Sequence, residues 1–356
     1  MIKLREYSKE EVCERIKNNK VLFITLNSFE KRSTAAFRTI ENSVIQSKPA
    51  VDILIMNIGN TARNHNVILE IAKEQNRNYI KEHTNPNSLS NFDFSYPLID
   101  QQEMNNFHTQ INKLIQDKAI SLIIFDFSCI PRKLLFYITN TLCDILKYNS
   151  RVELIYSYSL PEEYVGRPLE GVGILKDINT GESLRDILVN KDKCMLIDAP
   201  SISGSESPLL IELIEKRLIS SGIDLFLPLL SDHLHTSLQV LQNNVNIISF
   251  ALNKSGKIFY PTSIIYAINE WITNLEERLS NSETKTVILI GPFNIKPFLV
   301  CSILYLNSKS NNNVKINSNV KILQWSQPIS NTIYSNGILK TYFFGLDKKN
   351  LVSDVS

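Results

Sequence analysis

The turn after the first predicted strand carries side chains that could bind an anion. Ser28, Glu30 and Arg32 lie between this strand and a predicted helix. Free backbone N–H groups and the helix dipole favour negative charge at a helix N-terminus, so a serine and an arginine there suit a phosphate group. The alternative is that the turn only caps the helix, with its charged side chains in solvent.

A second polar turn holds an acid, a hydroxyl and an arginine. Asp126 ends a predicted strand, Ser128 follows it, and Arg132 stands at the start of the next predicted helix. A guanidinium matches phosphate and carboxylate oxygens, while a carboxylate can orient a basic group or a hydroxyl. The turn therefore predicts a binding site at a strand-to-helix switch. The alternative is again a helix cap, with Arg132 and Lys133 exposed.

A third turn, in the second half of the chain, places Lys296 between a predicted strand and an apolar helix. The preceding residues from Gly291 lack the G-x-x-x-x-G-K-[ST] pattern of a P-loop, so a phosphate contact is predicted without Walker-type ATP hydrolysis. The G-x-G-x-x-G and G-x-S-x-G patterns are also absent from the sequence. His233 and His235 lack a third ligand nearby, and residues two apart do not share a helix face, so no metal site is predicted.

The elements around these turns alternate between short apolar runs and longer amphipathic segments, which is typical of βαβ units with a parallel sheet. The strands predicted in the first half span residues 21–26, 51–56, 121–125 and 152–156. Residues 81–100 are predicted to form a long loop. In the second half, residues 245–251 are predicted to form a strand. Because the carboxyl ends of parallel strands lie at one edge of a sheet, we expect the polar turns to converge there.

This pattern predicts an α/β protein of two Rossmann-like three-layer domains with mostly parallel sheets. The first domain is predicted to span residues 1–180, with a linker or extended arm from about residue 157. The second domain is predicted to span residues 181–356.

The composition fits a globular protein and argues against several classes. The 38 Lys and Arg residues against 36 Asp and Glu residues give a net charge of +2, which does not indicate binding to nucleic acid. The 5 cysteines lack C-x-x-C spacing, so we predict neither disulfides nor a structural zinc site. The same pattern predicts a reducing, cytoplasmic location. No signal peptide or membrane span of roughly 18 apolar residues is recognisable, so no membrane association is predicted.

Four short motifs resemble Rossmann-like proteins of bacterial conflict and anti-phage defence systems. They are Ser28-Phe-Glu-Lys-Arg32, Asp126-x-Ser-x-x-Pro-Arg132, Pro161-Glu-Glu-Tyr164 and Gly291-x-x-x-x-Lys296. A looser similarity runs to CRISPR-associated Rossmann ligand sensors, which bind cyclic oligonucleotides at comparable turns. The segment from Gly291 to Lys296 departs from the Gly-Gly-Thr-Lys-like element of those sensors, which argues against that ligand.

The resemblance implies a defence component that binds a nucleotide-like or phosphate-bearing ligand and acts with partner proteins or as a homo-oligomer. The predicted ligand-binding residues are Ser28, Glu30, Arg32, Asp126, Ser128, Arg132 and Lys296. No cofactor is identified by the sequence.

Two alternatives remain open. One is a nucleotide-processing enzyme of the hydrolase or N-glycosidase type, in which Glu30 or Asp126 serves as acid, base or nucleophile. The other is a structural interaction module, whose polar turns only cap helices.

Overall fold

The chain divides into two α/β units. The first unit combines residues 3–165 with the C-terminal segment from Tyr334, and the second runs from Gly166 to Ile333. The computed structural model describes residues 3–46, 51–59, 67–95, 99–165, 174–189, 191, 193–200, 222–227, 234–253, 256–260, 263–280, 286–291, 296–310, 320–326 and 334–346.

In the described part of the first unit, the sheet contains seven strands in the order β1-β15-β6-β5-β2-β3-β4. These strands are β1 (Leu4–Tyr7), β2 (Val21–Leu26), β3 (Val51–Ile58), β4 (Leu89–Phe94), β5 (Leu122–Asp126), β6 (Glu153–Leu160) and β15 (Lys340–Leu346). Strands β2 to β6 are parallel to one another, β15 pairs antiparallel with β6, and β1 pairs antiparallel with β15 at the edge of the sheet. The order of the parallel strands reverses between β2 and β5, and such a reversal is where open α/β sheets bind ligands.

Five described helices accompany this sheet. They are α1 (Lys9–Asn18), α2 (Ala35–Gln46), α3 (Val67–Glu82), α4 (Gln101–Asp117) and α5 (Arg132–Tyr148). A 3₁₀ turn, Lys31–Thr34, leads directly into α2. Helix α1 begins with a capping box, because Ser8 accepts from the N–H of Glu11 and the Glu11 carboxylate accepts from the N–H of Ser8.

One face of the first sheet packs against α1 and α2. Val21 and Phe23 of β2 and Leu122 and Ile124 of β5 belong to this core, together with apolar residues of both helices. Because side chains alternate along a strand, the next residues on this face are Thr25 in β2 and Asp126 in β5. The apolar face therefore ends in polar side chains at the carboxyl edge. On the opposite face, α4 packs its Phe107 against two aromatic rings of β4.

Among its described residues, the second unit has a six-stranded sheet in the order β11-β10-β9-β12-β13-β8. Its strands are β8 (Ile174–Asp177), β9 (Lys193–Asp198), β10 (Gly222–Phe226), β11 (Ile258–Phe259), β12 (Thr286–Ile290) and β13 (Val320–Ser326). Its described helices are α6 (Leu184–Leu188), α7 (Leu234–Asn243), α8 (Val245–Asn253), α9 (Ile264–Ser280) and α10 (Lys296–Ser310). All neighbouring strands are parallel except β8, which runs antiparallel to β13.

Both sheets therefore use the same order of five parallel strands, with an antiparallel strand beside the fifth. This order confirms the predicted fold class of two Rossmann-like α/β domains with mostly parallel sheets. A short antiparallel pair, β7 (Glu163–Val165) with β14 (Tyr334–Asn336), lies next to the chain positions that separate the two units.

The chain is divided differently from the predicted boundary at residue 180. Strand β15 pairs with β6, with Lys340 opposite Leu160, so the C-terminal segment completes the first sheet. Strand β8 lies in the predicted arm from residue 157, but it pairs with β13 and therefore joins the second sheet. Both differences arise from pairing between strands far apart in sequence, which local patterns do not reveal.

Two local predictions are wrong. Residues 245–251 form part of helix α8, not a strand, because a short apolar run without alternation suits either element. The predicted loop at 81–100 contains strand β4, which forms the edge of the first sheet and pairs with β3. The sequence of β4, Leu-Ser-Asn-Phe-Asp-Phe, is too polar for the buried-strand pattern because the strand lies at an edge.

The cysteines divide into two groups by burial, and this division predicts their reactivity. Burial raises the pKa of Cys143 and Cys194 to about 12 and the pKa of Cys301 well above its usual value. Cys13 and Cys129 are half-exposed. Because the thiolate is the nucleophile, we expect N-ethylmaleimide to label only Cys13 and Cys129 in the native protein, and the other three after unfolding in urea. Mass spectrometry of the labelled peptides measures this, and rapid native labelling of a buried cysteine would contradict it.

Candidate functional site

A buried polar network occupies the point where the strand order of the first sheet reverses, between β2 and β5. Asp126 is 2% exposed and Ser128 is fully buried. The Ser128 hydroxyl donates to Asp126 Oδ1 at 2.5 Å, and the Ser128 N–H donates to the same oxygen at 3.1 Å. Thr25 Oγ1 lies 3.5 Å from Asp126 Oδ2. The Ser128 hydroxyl also accepts from the N–H of Ser159 at 2.8 Å, which ties the turn to β6.

Arg32 points into this network. It is 5% exposed, and its Nε and Nη2 donate to Glu30 Oε2 at 3.1 and 2.7 Å. Its Nη1 donates to the backbone oxygen of Ser159 at 3.2 Å. The guanidinium is thus neutralised by Glu30 and attached to β6, which is the pairing that a buried charge requires.

Further hydrogen bonds hold the turn that carries Arg32. The Ser33 hydroxyl lies 2.8 Å from the backbone oxygen of Glu30 and 3.2 Å from that of Ser28. Asn76 of α3 donates to the same two oxygens, at 2.9 Å to Ser28 and 3.2 Å to Glu30. The Ser33 backbone oxygen accepts from the Thr25 hydroxyl at 3.2 Å, so the turn connects back to β2. The switch-point network consists of Thr25, Glu30, Arg32, Ser33, Asp126, Ser128 and Ser159.

The structure brings together five of the residues that the sequence singled out, namely Ser28, Glu30, Arg32, Asp126 and Ser128. Arg132 is the first residue of α5 and is half-buried. Lys296 is the first residue of α10 and belongs to the second unit. These five residues form hydrogen bonds with one another and with the backbone. Their geometry is therefore that of a network that stabilises the strand ends.

An open cleft of about 780 Å³ lies beside the network. One wall consists of Phe29, Lys31, Thr34 and Arg38, from the turn and the first part of α2. The opposite wall is a row of α3 side chains at positions 72, 75, 76, 78, 79 and 82, and Ile338 also lines the cleft. The turn therefore points Arg32 into the network, whereas Lys31 faces the cleft.

Two cations line this cleft. Arg38 is exposed, its Nε donates to the Thr34 hydroxyl at 3.2 Å, and its guanidinium carbon lies 3.7 Å from the centre of the Tyr79 ring. Lys31 is also exposed. Within the described part of the chain, no carboxylate forms an ion pair with either cation. The cleft thus offers two cations that form no ion pair with a described carboxylate, although Glu82 also lines the cleft. The Arg38 guanidinium is held in position by a hydroxyl and an aromatic ring.

Sequence analysis did not identify Lys31, Arg38, Asn76 or Tyr79. The signal for Lys31 was its place in the same turn as Arg32, but which of two adjacent cations faces inward is not visible in a linear pattern. Asn76 and Tyr79 lie about one helical turn apart on α3, and no motif in the sequence distinguishes them from the other polar residues of this helix.

The described residues were also searched for metal and membrane features. No group of three or more His, Cys, Asp or Glu side chains among them could hold a metal ion. His233 lies outside the described residues, and so does the side chain of His235. No helix in the described ranges has both the length and the apolar character needed to cross a membrane.

Comparison with known proteins gives remote structural likeness only. No family model matches the chain, and no curated protein matches it. The UDP-GlcNAc 2-epimerase from Neisseria meningitidis bound to UDP-GlcNAc is 10% identical over 76% of each chain, with a TM-score of 0.23. MurG of Acinetobacter baumannii is 7% identical over 86% of each chain, with a TM-score of 0.24. Identities and TM-scores this low carry no argument about function, so the chain is understood from its own geometry.

Proposed function

We propose that the first unit binds a small phosphate-bearing ligand of the nucleotide type in the cleft between the 29–38 segment and α3. The observation that carries this proposal is the pair of exposed cations, Lys31 and Arg38, in a cleft of about 780 Å³. One wall of the cleft is the turn after the carboxyl end of β2, which adjoins the reversal between β2 and β5 where α/β sheets of this order bind ligands. The other wall is α3, which follows β3. Its volume falls within the roughly 300–1,000 Å³ of typical small-molecule sites.

Different lining residues would contact the phosphate and the rest of the ligand. Lys31 and Arg38 would hold the phosphate oxygens, because charge-assisted hydrogen bonds to phosphate are strong and Arg38 is already oriented. The amides of Gln75 and Asn78 and the carboxylate of Glu82 would bond to sugar hydroxyls or to the edge of a base. The switch-point network would support the wall that carries Lys31, because a rigid turn positions such a side chain more precisely.

Binding is favoured over catalysis because the candidate acid and base are already engaged. Glu30 accepts two hydrogen bonds from Arg32, and Asp126 accepts two from Ser128. Neither carboxylate lines the cleft. The role in anti-phage defence and the action with partner proteins stay predictions from the sequence resemblance.

Titration calorimetry tests the proposal with ADP, UDP, ADP-ribose and inorganic pyrophosphate. We expect at least one probe to bind, and Lys31→Ala and Arg38→Ala each to weaken its affinity by about tenfold or more, since a charged hydrogen bond contributes about 1.5–3 kcal/mol. Lys17→Ala and Arg151→Ala, which remove exposed cations of the same unit away from the cleft, should leave affinity unchanged. Absence of binding for every probe, or equal affinity in Arg38→Ala and Arg151→Ala, would contradict the proposal.

A further inference from the structure

Helix α3 forms one wall of the cleft but is weakly packed. Of its 16 residues only Ile80 is buried. Val67, Ile68 and Ile71 at its beginning are 69%, 75% and 53% exposed. A helix with so little buried surface detaches from the rest of the fold at a low free-energy cost, so its position depends strongly on its polar contacts.

A cluster of polar side chains attaches the end of α3 to α2. The Tyr79 hydroxyl donates to Glu41 Oε2, and His83 Nε2 lies 3.1 Å from Glu41 Oε1. The Tyr79 and His83 rings lie 4.4 Å apart between centres. We call these three residues, Glu41, Tyr79 and His83, the α2–α3 clamp. Tyr79 also lines the cleft and lies beneath Arg38, so the clamp and the ligand-binding wall share a residue.

Both ring nitrogens of His83 face hydrogen-bond acceptors. Nδ1 lies 2.7 Å from the backbone oxygen of Tyr79, and Nε2 faces the carboxylate of Glu41. A carbonyl and a carboxylate only accept, and only the imidazolium carries a proton on both nitrogens. The neutral ring donates one hydrogen bond at most and has no charge to attract Glu41. The positive ring also suits its place at the C-terminus of α3, where the helix dipole favours cations.

Tyr79 keeps its role as a donor to Glu41. Burial, followed by the hydrogen bond to Glu41, raises the pKa of Tyr79, so its hydroxyl remains a donor. Glu41 from α2 and Tyr79 from α3 are the titratable groups that face His83 within the described residues, with the Arg38 cation over the Tyr79 ring. Histidine is the side chain that ordinarily changes charge between about pH 5 and 8.

We propose that protonation of His83 holds α3 against α2 and keeps the α3 wall of the cleft in place, and that loss of this proton releases this wall. The movement of α3 follows from the clamp alone. Its effect on ligand affinity rests on the proposed function, with the cleft binding more tightly in the protonated state because Tyr79 and Arg38 are then held in place.

Hydrogen exchange of the ligand-free protein tests the clamp. After correction for intrinsic exchange, we expect the protection of residues 67–82 to fall about fivefold or more between about pH 5.5 and about pH 8. His83→Gln and Glu41→Gln should give low protection at both pH values, because neither retains the charged pair. His108→Gln changes a half-buried histidine of α4 that contacts Asn112, and it should behave like the wild type. Constant protection in the wild type, or a pH-dependent loss that survives in His83→Gln, would overturn the proposal.

A second measurement separates the clamp from the proposed function. The affinity for ADP-ribose, whose diphosphate does not titrate in this range, should fall about fivefold over the same pH interval and stay constant in His83→Gln. If α3 protection follows His83 while no probe binds, the clamp is supported and the proposed function fails. If ADP-ribose binds with equal affinity at both pH values, the coupling between clamp and cleft is overturned.

Discussion

Replacing Arg32 by methionine is expected to lower the free energy of unfolding of the first unit by about 3 kcal/mol, because it leaves the Glu30 carboxylate without its partner. The side chains of Arg32 and Glu30 are only 6% and 14% exposed. The loss also removes the hydrogen bond to the Ser159 backbone oxygen, which attaches the turn to β6. Arg32→Lys should be intermediate, since one ammonium cannot reproduce the fork that reaches both partners.

This result separates two interpretations of Arg32. If Arg32 bound a ligand directly, its replacement would weaken ligand affinity and leave unfolding unchanged. Urea unfolding followed by circular dichroism measures the stability, and Arg5→Met is the matched control because its ion pair with Glu11 is exposed. We expect little change in that control. If the Arg32→Met protein were as stable as Arg5→Met, the buried pair would not stabilise the first unit.

The second large effect is expected in the second unit, at Asp224. This carboxylate is fully buried in β10 and accepts from Arg278 Nε and Nη2, both at 2.8 Å. It also accepts from the Asn274 side chain and from the N–H of Lys257, each at 2.9 Å. Asp224→Ala removes four acceptor contacts and leaves a guanidinium without its carboxylate. We expect the free energy of unfolding of this unit to fall by about 4 kcal/mol.

Tryptophan fluorescence during urea unfolding measures this effect, because Trp271 and Trp325, the 2 tryptophans of the chain, both lie between Gly166 and Ile333. Combining Asp224→Ala with Arg278→Met should cost less than the sum of the single changes, since the two residues share one interaction. Glu277→Gln is the control, because Glu277 is next to Arg278 on α9 and its ion pair with Lys257 is exposed. This substitution should change the free energy of unfolding little. A fluorescence midpoint for Asp224→Ala equal to that of Glu277→Gln would contradict the prediction.

The polar turns show which parts of the candidate site could be predicted from local sequence patterns. The rule that ligands bind beyond the carboxyl ends of parallel strands directed attention to the turns that hold Arg32, Asp126 and Ser128, and these three residues lie in one network at the strand ends. The same rule did not distinguish Arg32 from Lys31, which are adjacent in the chain. Arg32 turns inward because it donates hydrogen bonds to Glu30 and to the backbone oxygen of Ser159, and Ser159 lies 127 residues further along the chain.

Longer separations account for the other differences. Asp224 and Arg278 are 54 residues apart, and neither belongs to a recognisable motif, so their pairing was not predicted. Residues 245–251 were misassigned because a short apolar run suits a helix as well as a strand. Strand β4 was missed because an edge strand can be too polar for the buried-strand pattern. The α2–α3 clamp likewise depends on Glu41 and Tyr79, which are 38 residues apart.

The alternation of apolar runs with amphipathic segments was sufficient to identify two Rossmann-like α/β domains, because hydrophobic periodicity is a local property that strands and helices must satisfy individually. The return of β15 to the first sheet, the inward turn of Arg32 and the assembly of the cleft depend on which distant backbone and side-chain groups become neighbours. Those contacts are chosen by packing and by the need to pair buried charges, so only the folded chain decides that Lys31 and Arg38, not Arg32, face the cleft.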